Sequence, residues 1–357
     1  VGSPSVRSVH AALVGSQLLF GGGAIVGKFG VRGTNPALFC FLREGIAGPL
    51  LWIVAYAATR VALPPQGDVL RICAAGFGLF SNQLFFMLGL KLSDPLSGSA
   101  WQPSQPIFTM ALAICVGYEQ PSWRRAAGLL LAVAGAIFMV LAGDGGGEHG
   151  GSTKLIGHAL FAMNCLGTSA YVIISKALVR RHPSILVTSW SYIVASGMML
   201  VTVLVINCSP ALLRVVCDDK DPVVAEGCAD QPWHVPAGMV LPLCYWIICN
   251  SMLAYGGMTW ANRFAKASVV SAYTVLQPAT SAALSTLLIC ANGEAWANQF
   301  GLEKPGVQDL GLIGIVLGLV ILFSEPTADI CVADASAAAS AHGPLLASSG
   351  CQDHLAR

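Results

Sequence analysis

The sequence predicts an all-helical integral membrane protein with ten transmembrane helices, arranged as two inverted five-helix repeats. Three observations predict this fold: 55% of the 357 residues are hydrophobic and 10% are charged, apolar runs recur along the chain, and the second half repeats features of the first. Soluble domains carry about 25% charged residues, and a membrane-spanning helix needs about 20 mostly apolar residues. The ten runs that qualify lie near 10–30, 37–58, 69–90, 96–117, 124–142, 154–178, 185–206, 237–257, 266–291 and 308–323.

Polar segments divide the chain into two halves and a tail. The Gly-rich residues 144–153 are typical of a flexible linker, and residues 207–236 are too acidic to enter lipid, which predicts an extramembrane loop. An oxidising compartment on that side would allow Cys217 and Cys228 to pair. The predicted organisation is a stub over 1–9, a first repeat over 10–143, the linker over 144–153, a second repeat over 154–325 and a disordered tail over 326–357.

Lysine and arginine positions indicate the orientation in the membrane. With the N-terminus in the cytoplasm, eleven of these residues fall on the cytoplasmic side and seven on the opposite side, as the positive-inside rule favours. We therefore expect both termini in the cytoplasm of a multi-pass protein, in the plasma membrane or an endomembrane.

The composition excludes several function classes. A net charge of +1 provides no basic field for nucleic acid. The seven histidines are scattered, and no His-Glu-x-x-His, paired Cys-x-x-Cys or Gly-x-Ser-x-Gly motif occurs, so we expect no metal, no cofactor and no enzyme. The predicted partners are membrane lipid and a small organic solute, and the sequence leaves coupling to protons and a homodimer open.

The two halves share polar residues at matching places, which indicates an internal repeat. Each copy holds five spans, and this odd number forces the second copy to enter the membrane in the opposite direction. Inverted repeats are typical of secondary transporters, because two packings of nearly equal energy open a central site to either side in turn. The matching residues are Lys28 and Lys176, Asn82 and Asn250, and Gln105-Pro106 and Gln277-Pro278.

The predicted solute site lies in the fourth and ninth runs. Prolines there remove backbone donors in mid-helix, and interruptions at matching places in two repeats indicate a transporter site. Aromatic rings and amides suit a neutral or zwitterionic organic solute. The alternative is that the prolines only kink the helices and the asparagines only form interhelical hydrogen bonds. The candidate residues are Trp101, Gln102, Gln105, Tyr273 and Gln277, together with Asn82 and Asn250.

Arg43 and Glu44 are adjacent opposite charges inside the second apolar run. A charge at the bilayer centre costs at least about 2.5 kcal/mol, so each should face a partner or a wet cavity. Neighbouring residues on a helix do not face one another, which predicts separate partners. Arg43 is expected to reach toward the headgroups or to fix helix packing. Glu44 is the candidate proton-coupling group, since a low dielectric favours the neutral carboxyl and lets it load and release protons.

Further motifs indicate a family. Lys28 closes the first run, Asp-Pro-Leu-Ser-Gly-Ser-Ala occupies 94–100, and Gln277-Pro278 lies in the ninth run. In these features the chain resembles the drug/metabolite transporter superfamily and, within it, the EamA-type, nodulin-like (walls-are-thin-related) transporters of plants. The resemblance implies a carrier of small metabolites, such as amino acids, through a cavity between the two halves. The alternatives are a nucleotide-sugar or organophosphate exchanger of the same superfamily, an integral-membrane enzyme, and a non-transporting membrane scaffold.

Overall fold

The structure is a computed structural model. It describes residues 4–31, 34–93, 95–118, 151–217, 222–300 and 310–323, together with scattered positions between 123 and 138 and residues 302 and 306. The predicted tail over 326–357 and most of the predicted linker lie outside the described residues. Helices dominate the described part of the chain.

Fifteen helices of the described residues are numbered in chain order. Three short 3₁₀ turns and one π-helical segment precede or join some of them. A 3₁₀ turn over Gln66–Asp68 leads into α3, another over Gln102–Ser104 joins α4 to α5, and a third over Tyr273–Val275 joins α12 to α13. A π-helical segment over Trp246–Ala254 joins α10 to α11. The helices are α1 Val6–Val31, α2 Pro36–Thr59, α3 Val69–Leu92, α4 Pro95–Ala100, α5 Gln105–Cys115, α6 Gly151–Val179, α7 Ser184–Cys208, α8 Pro210–Val216, α9 Pro222–Asp230, α10 Ala237–Tyr245, α11 Tyr255–Asn262, α12 Ala267–Ala272, α13 Leu276–Asn292, α14 Glu294–Gln299 and α15 Gly311–Phe323.

Seven of the described helical stretches are long and apolar enough to cross a membrane, so the chain is a multi-pass membrane protein by length and composition. Of the other three predicted spans, the one near 96–117 is divided into α4 and α5, and the one near 308–323 is described as the 13-residue α15. The one near 124–142 lies mostly outside the described residues. The seven stretches are Val6–Val31, Pro36–Thr59, Gln66–Leu92, Leu155–Val179, Ser184–Cys208, Ala237–Asn262 and Ala267–Asn292.

Local sequence explains where the first two helices begin. The side chain of Ser5 accepts a hydrogen bond from the Ser8 backbone N–H at 3.1 Å, so α1 starts within the predicted stub. Asn35 caps α2 in the same way, since its side chain accepts a bond from the Ala37 N–H at 2.9 Å. Pro36 follows at the first helical position, where a missing N–H costs nothing.

The predicted extramembrane loop contains the two short helices α8 and α9. Ser209 caps α8, and a disulfide between Cys217 and Cys228 connects the two helices. The disulfide ties this polar segment together beyond the end of α7. The pairing of the two cysteines that an oxidising compartment would allow is present in the structure.

Long helices of the first half pack against long helices of the second half. Helix α3 packs along α6, α1 packs along α10, the π-helical segment and α11, and α2 packs along α7. Both of the first two pairs are antiparallel. In the α1 pair, for example, Gly27 near the end of α1 faces Trp246, and Gly257 farther along faces Ser16 near the start of α1.

Glycines permit the closest of these approaches. A methyl group built on Gly167 of α6 would lie 2.7 Å from the backbone nitrogen of Asn82 and 3.0 Å from the carbonyl oxygen of Gly78 in α3. Backbone atoms cannot swing aside as a side-chain end can, so only glycine lets α3 and α6 lie this close. Small residues at helix contacts are the general means of packing within lipid.

Candidate functional site

A polar cavity lies between the two halves of the chain. The space open to the centres of water-sized molecules is about 40 Å³, and one water needs roughly 10–15 Å³ by that measure. The cavity therefore has room for a few waters in this conformation. Its lining is formed by Gln17, Phe20, Arg43, Asn82, Gln83, Phe86, Gln102, Gln105, Asn164, Thr168, Trp246, Tyr255, Met258 and Gln277.

Two interrupted helices reach the cavity from matching places in the two halves. The 3₁₀ turn over Gln102–Ser104 breaks the first of them, and the turn over Tyr273–Val275 breaks the second. Gln105 starts the helix after the first break, and Gln277 lies in the first turn of the helix after the second. Both glutamines line the cavity. The interruptions expected from the Gln-Pro pairs are thus present.

Amide side chains from the first broken helix bond to α6. The Gln102 Nε2 donates to Asn164 Oδ1 at 3.0 Å, and Gln105 Nε2 donates to Gln102 Oε1. Asn164 in turn donates to the backbone oxygen of Asn82 at 2.8 Å. These bonds fix a row of amides along one wall of the cavity.

The second broken helix makes a related contact with α1. Gln277 Nε2 donates to Gln17 Oε1 at 2.6 Å, and the Ser281 hydroxyl donates to the Gly21 carbonyl at 2.7 Å. Gln17 and Gln277 both line the cavity. Each broken helix therefore bonds a cavity amide to the first long helix of the other half, which is α6 for the first broken helix and α1 for the second.

Asn82 joins three helices at the cavity. Its Nδ2 donates to the Thr168 hydroxyl on α6, and its Oδ1 accepts from the Tyr255 hydroxyl on α11. Both amide atoms of this buried side chain are therefore satisfied, as buried polar groups generally are.

Arg43 enters the cavity wall from α2. Its side chain is 1% exposed, its Nε donates to the Ser251 hydroxyl at 2.8 Å, and its Cζ lies 4.3 Å from the centroid of the Trp246 ring. Neither of its two terminal nitrogens has a hydrogen-bond partner within the described part of the chain. The expectation that Arg43 reaches the headgroups is therefore replaced by a buried, stacked guanidinium, held by the serine and the tryptophan.

Glu44 is fully buried beside Arg43 but lies outside the cavity lining. Both of its carboxyl oxygens lack a hydrogen-bond partner among the described residues. The groups that interact with it electrostatically are Arg43 and Cys40 on its own helix, Tyr192 on α7 and Tyr255 on α11.

In addition to Glu44, three further predicted site residues lie outside the cavity lining. The Trp101 indole donates to His158 Nδ1 at 2.9 Å, and the Tyr273 hydroxyl contacts His10 Nδ1. Asn250 is buried in the π-helical segment against Gly23, and its amide atoms have no partner within the described chain. The structure thus brings Asn82, Gln102, Gln105, Gln277 and Arg43 together, and leaves these three around them.

Several lining residues carry no strong signal in the sequence. Phe86 follows Asn82 by four residues, Thr168 follows Asn164 by four, and Met258 follows Tyr255 by three. Residues at these spacings share a helix face, so a search outward from Asn82 and Asn164 would have found Phe86 and Thr168. Gln83 and Trp246 lie at other spacings, so this rule finds neither of them. In the described chain, no cluster of three or more His, Cys, Asp or Glu side chains could hold a metal.

These observations define a class of protein, a multi-pass helical membrane protein with a polar cavity between two halves. Within this class, residues 8–141 match the EamA-like transporter family. Over these residues, the resemblance inferred from the sequence motifs is thereby confirmed.

Known proteins are similar over part or most of the chain. An uncharacterized transporter of Archaeoglobus fulgidus is 22% identical over 51% of this chain and 62% of its own length. Two WAT1-related proteins of Arabidopsis thaliana are 24% and 28% identical, over 39% and 31% of this chain and 40% and 33% of their own lengths. The chain thus matches between about one third and three fifths of these relatives. A solved crystal structure, 18% identical over 90% of this chain and 98% of its own, shares the fold with a TM-score of 0.59.

Proposed function

We propose that this protein is a secondary carrier of small organic solutes such as amino acids, and that it works by alternating access between two inverted five-helix repeats, residues 10–143 and 154–325. The observation that carries the proposal is the buried polar cavity between the halves, reached by two helices that break at matching places. Broken helices at the interface of two repeats are typical of transporter sites.

The two lysines that end the first helix of each half support the inverted repeat. Lys28 on α1 donates to the carbonyl oxygen of Leu90 at 2.6 Å and to that of Ser93, at the end of α3. Lys176 on α6 donates to the carbonyl oxygen of Asn262 at 2.7 Å and to that of Ala265, at the end of α11. Each lysine thus binds two carbonyls three residues apart in the third span of its own half.

The packing of the helices supports the same relation. One group of contacts joins α3 and α5 of the first half to α6 of the second half. The other group joins α11 and α13 of the second half to α1 of the first half. Exchanging the two halves of the chain converts one group of contacts into the other. A ten-helix bundle with this pseudo-symmetry has two alternative closures, which is the basis of alternating access.

The chemistry of the lining favours an uncharged or internally neutral solute. Amides of Gln102, Gln105 and Gln277 supply donors and acceptors, and the rings of Phe86 and Tyr255 supply apolar surface. Within the described lining Arg43 is the one cationic side chain. A nucleotide sugar or organophosphate would need several cations, so the exchanger is the second candidate, and an enzyme or a scaffold follows after it.

Glu44 is the proposed coupling group. A buried carboxyl without a hydrogen-bond partner favours its neutral form, and the neighbouring Arg43 favours its charged form, so the balance between them can change as the cavity opens. Trp101, Tyr273 and Asn250 are proposed to shape the site from behind its lining. We further propose that both termini are cytoplasmic, in the plasma membrane or an endomembrane.

The proposal is tested by flux. The purified full chain in proteoliposomes is given amino acids, aromatic acids, neutral sugars and nucleotide sugars, each with and without a pH gradient. We expect uptake of a small neutral or zwitterionic solute, and its loss in Gln277→Ala, because the amide that bonds Gln17 is removed from the wall. Gln231→Ala, an exposed position in the extramembrane loop, is the matched control and should keep full uptake. No transport of any solute by the unchanged chain would overturn the carrier.

A further inference from the structure

A buried carboxylate holds two arginine side chains together at one end of the helices. Asp68 lies directly before α3, and its Oδ1 accepts hydrogen bonds from Nη1 of Arg71 at 3.0 Å and from Nη1 of Arg181 at 3.2 Å. Its Oδ2 accepts from Nε2 of His182 at 2.9 Å. Because Arg181 and His182 lie between α6 and α7, this cluster joins two connections of the chain and fixes the two guanidinium groups next to each other.

The cluster keeps a positive charge on its outer side. Asp68 supplies one negative charge against two guanidinium groups, and a protonated His182 would add a further positive charge. A guanidinium carries five N–H donors, of which the bond to Asp68 uses one in each arginine. The side chains of Arg71 and Arg181 are 48% and 59% exposed, so their other donors can reach a molecule at the protein surface. Adjacent arginine forks suit the oxygens of a phosphate group.

Apolar and aromatic side chains around the cluster indicate that it lies at the surface of the bilayer. Leu63 and Leu70 are largely exposed, and exposed apolar side chains at the ends of membrane spans are covered by lipid. The indoles of Trp52 and Trp190 both donate to the carbonyl oxygen of Ala62, at 2.9 and 3.3 Å, and the histidine of the cluster packs edge-on against Trp190. Tryptophan is enriched at the level of the lipid headgroups, so the two arginines lie at the depth of lipid phosphates.

An acidic phospholipid matches both parts of this surface. Its phosphate supplies the negative charge that the two arginines need, and its acyl chains cover the exposed leucines. A zwitterionic lipid offers a weaker match, because its ammonium group offsets the phosphate charge. The proposed orientation puts this end in the cytoplasm, and the cytoplasmic leaflet is the one that carries acidic lipids.

We propose that Arg71 and Arg181 bind the phosphate group of one acidic phospholipid at this end of the protein. The binding does not require transport, so the proposal is tested separately from the proposed function.

Native mass spectrometry of the purified full chain tests the proposal. The chain in an uncharged detergent is titrated with phosphatidylglycerol or with phosphatidylcholine of the same acyl chains, and the bound fraction gives an apparent Kd for the first lipid. We expect phosphatidylglycerol to bind at least about 5-fold more tightly, because this is the attraction of an acidic lipid to one cation near the membrane surface. Equal affinities for the two lipids would overturn the proposal.

Variants then assign the binding to the two arginines. Arg71→Gln and Arg181→Gln should each weaken the binding of phosphatidylglycerol about 5-fold, and the double variant about 25-fold. Binding of phosphatidylcholine should stay within about twofold. Asp68 keeps its bond to His182 in all three variants, so the carboxylate retains a partner.

Arg263→Gln is the matched control. Arg263 is an exposed arginine directly after α11, at the same end of the helices as the cluster, because Lys176 near the end of α6 bonds the carbonyl oxygen of Asn262. This variant should bind phosphatidylglycerol as the unchanged chain does. Elution of each variant in detergent reports its folding, and the comparison of the two lipids on the unchanged chain needs no variant.

The outcomes separate a lipid site from its alternatives. An equal loss of binding in Arg263→Gln and in the double variant would show that any cation at this end serves, and this overturns the proposal. Unaltered binding of phosphatidylglycerol by the folded double variant overturns it as well. An excess of inorganic phosphate that displaces the lipid completely would make the cluster a site for free phosphate, which also contradicts the assignment to a phospholipid.

Discussion

The contact between α3 and α6 predicts a large effect for one added methyl group. In Gly167→Ala the new Cβ would lie 2.7 Å from the Asn82 nitrogen, whereas ordinary contacts begin at 3.4 Å, so the helices must separate by about 0.7 Å. Overpacking of this kind costs roughly 1–3 kcal/mol. At about 2–4 °C per kcal/mol, the apparent Tm of the purified chain in detergent should fall by roughly 2–12 °C, measured by intrinsic fluorescence.

Gly197 provides the matched control. It lies in α7 with no atom within 4 Å of an added Cβ, and alanine is the better helix former by about 1 kcal/mol. Gly197→Ala should therefore leave the apparent Tm unchanged or slightly higher. Equal apparent Tm values for the two variants would refute the close packing of α3 on α6, and with it the position of Asn82 in the cavity wall.

Three further outcomes follow from single side chains. Glu44→Gln should abolish the pH dependence of uptake while the apparent Tm is kept, because an amide cannot exchange a proton; an unaltered pH profile would leave Glu44 as a packing residue. Trp101→Phe removes only the bond to His158 outside the cavity lining, so uptake in proteoliposomes should stay within about twofold, and complete loss would contradict that placement. Cys217→Ser removes the loop disulfide, so trypsin should cleave faster after Arg214 while uptake persists; an unchanged cleavage rate would show that the disulfide does not order this loop.

Much of the fold can be predicted from the sequence, because lipid imposes a simple length and composition rule. The seven apolar stretches and the two broken helices follow from runs of about 20 residues and from the Gln-Pro pairs. The helix count is less accessible to that rule: the apolar run near 96–117 forms two helices, α4 and α5, each too short to span a bilayer by itself, with a 3₁₀ turn between them.

The site is only partly predictable, because the direction of a side chain depends on local helix geometry. Gln102 lines the cavity and Trp101 does not, since one step along a helix turns a side chain by about 100°. Asn250 is a second example. It lies in a π-helical segment, where the wider turn changes which residues share a face, so the match to Asn82 in sequence does not become a match in position. The structure places Trp246 and Tyr255 on the cavity face instead.

Two lysines connect the helices on the two sides of the cavity. The helices form two groups: α3, α5 and α6 hold one amide wall, and α1, α11 and α13 hold the other. The amide bonds of Gln277 and Gln102 stay within a group, whereas Asn82 of α3 and Tyr255 of α11 connect the two groups beside the cavity. Lys28 and Lys176 also bridge the groups, and they do so at opposite ends, because α1 runs antiparallel to the stretch from α10 to α11, which spans about 39 Å for 26 residues.

In this structure both bridges are formed, and the cavity between them has room for a few waters. Alternating access requires each bridge to open in turn while the other stays closed. Lys28→Met should therefore favour opening at the end of α1, and Lys176→Met at the end of α6, because each removes a charged donor from two helix-end carbonyls.

In proteoliposomes, Met258→Cys places a thiol in the cavity. An impermeant maleimide is added to one side at a time, and the mass of the labelled peptide reports from which side the cavity opens. Faster labelling from opposite sides in the two lysine variants is expected. Faster labelling from the same side in both would contradict the pseudo-symmetry, since equivalent bonds at opposite ends of one antiparallel pair cannot control the same opening.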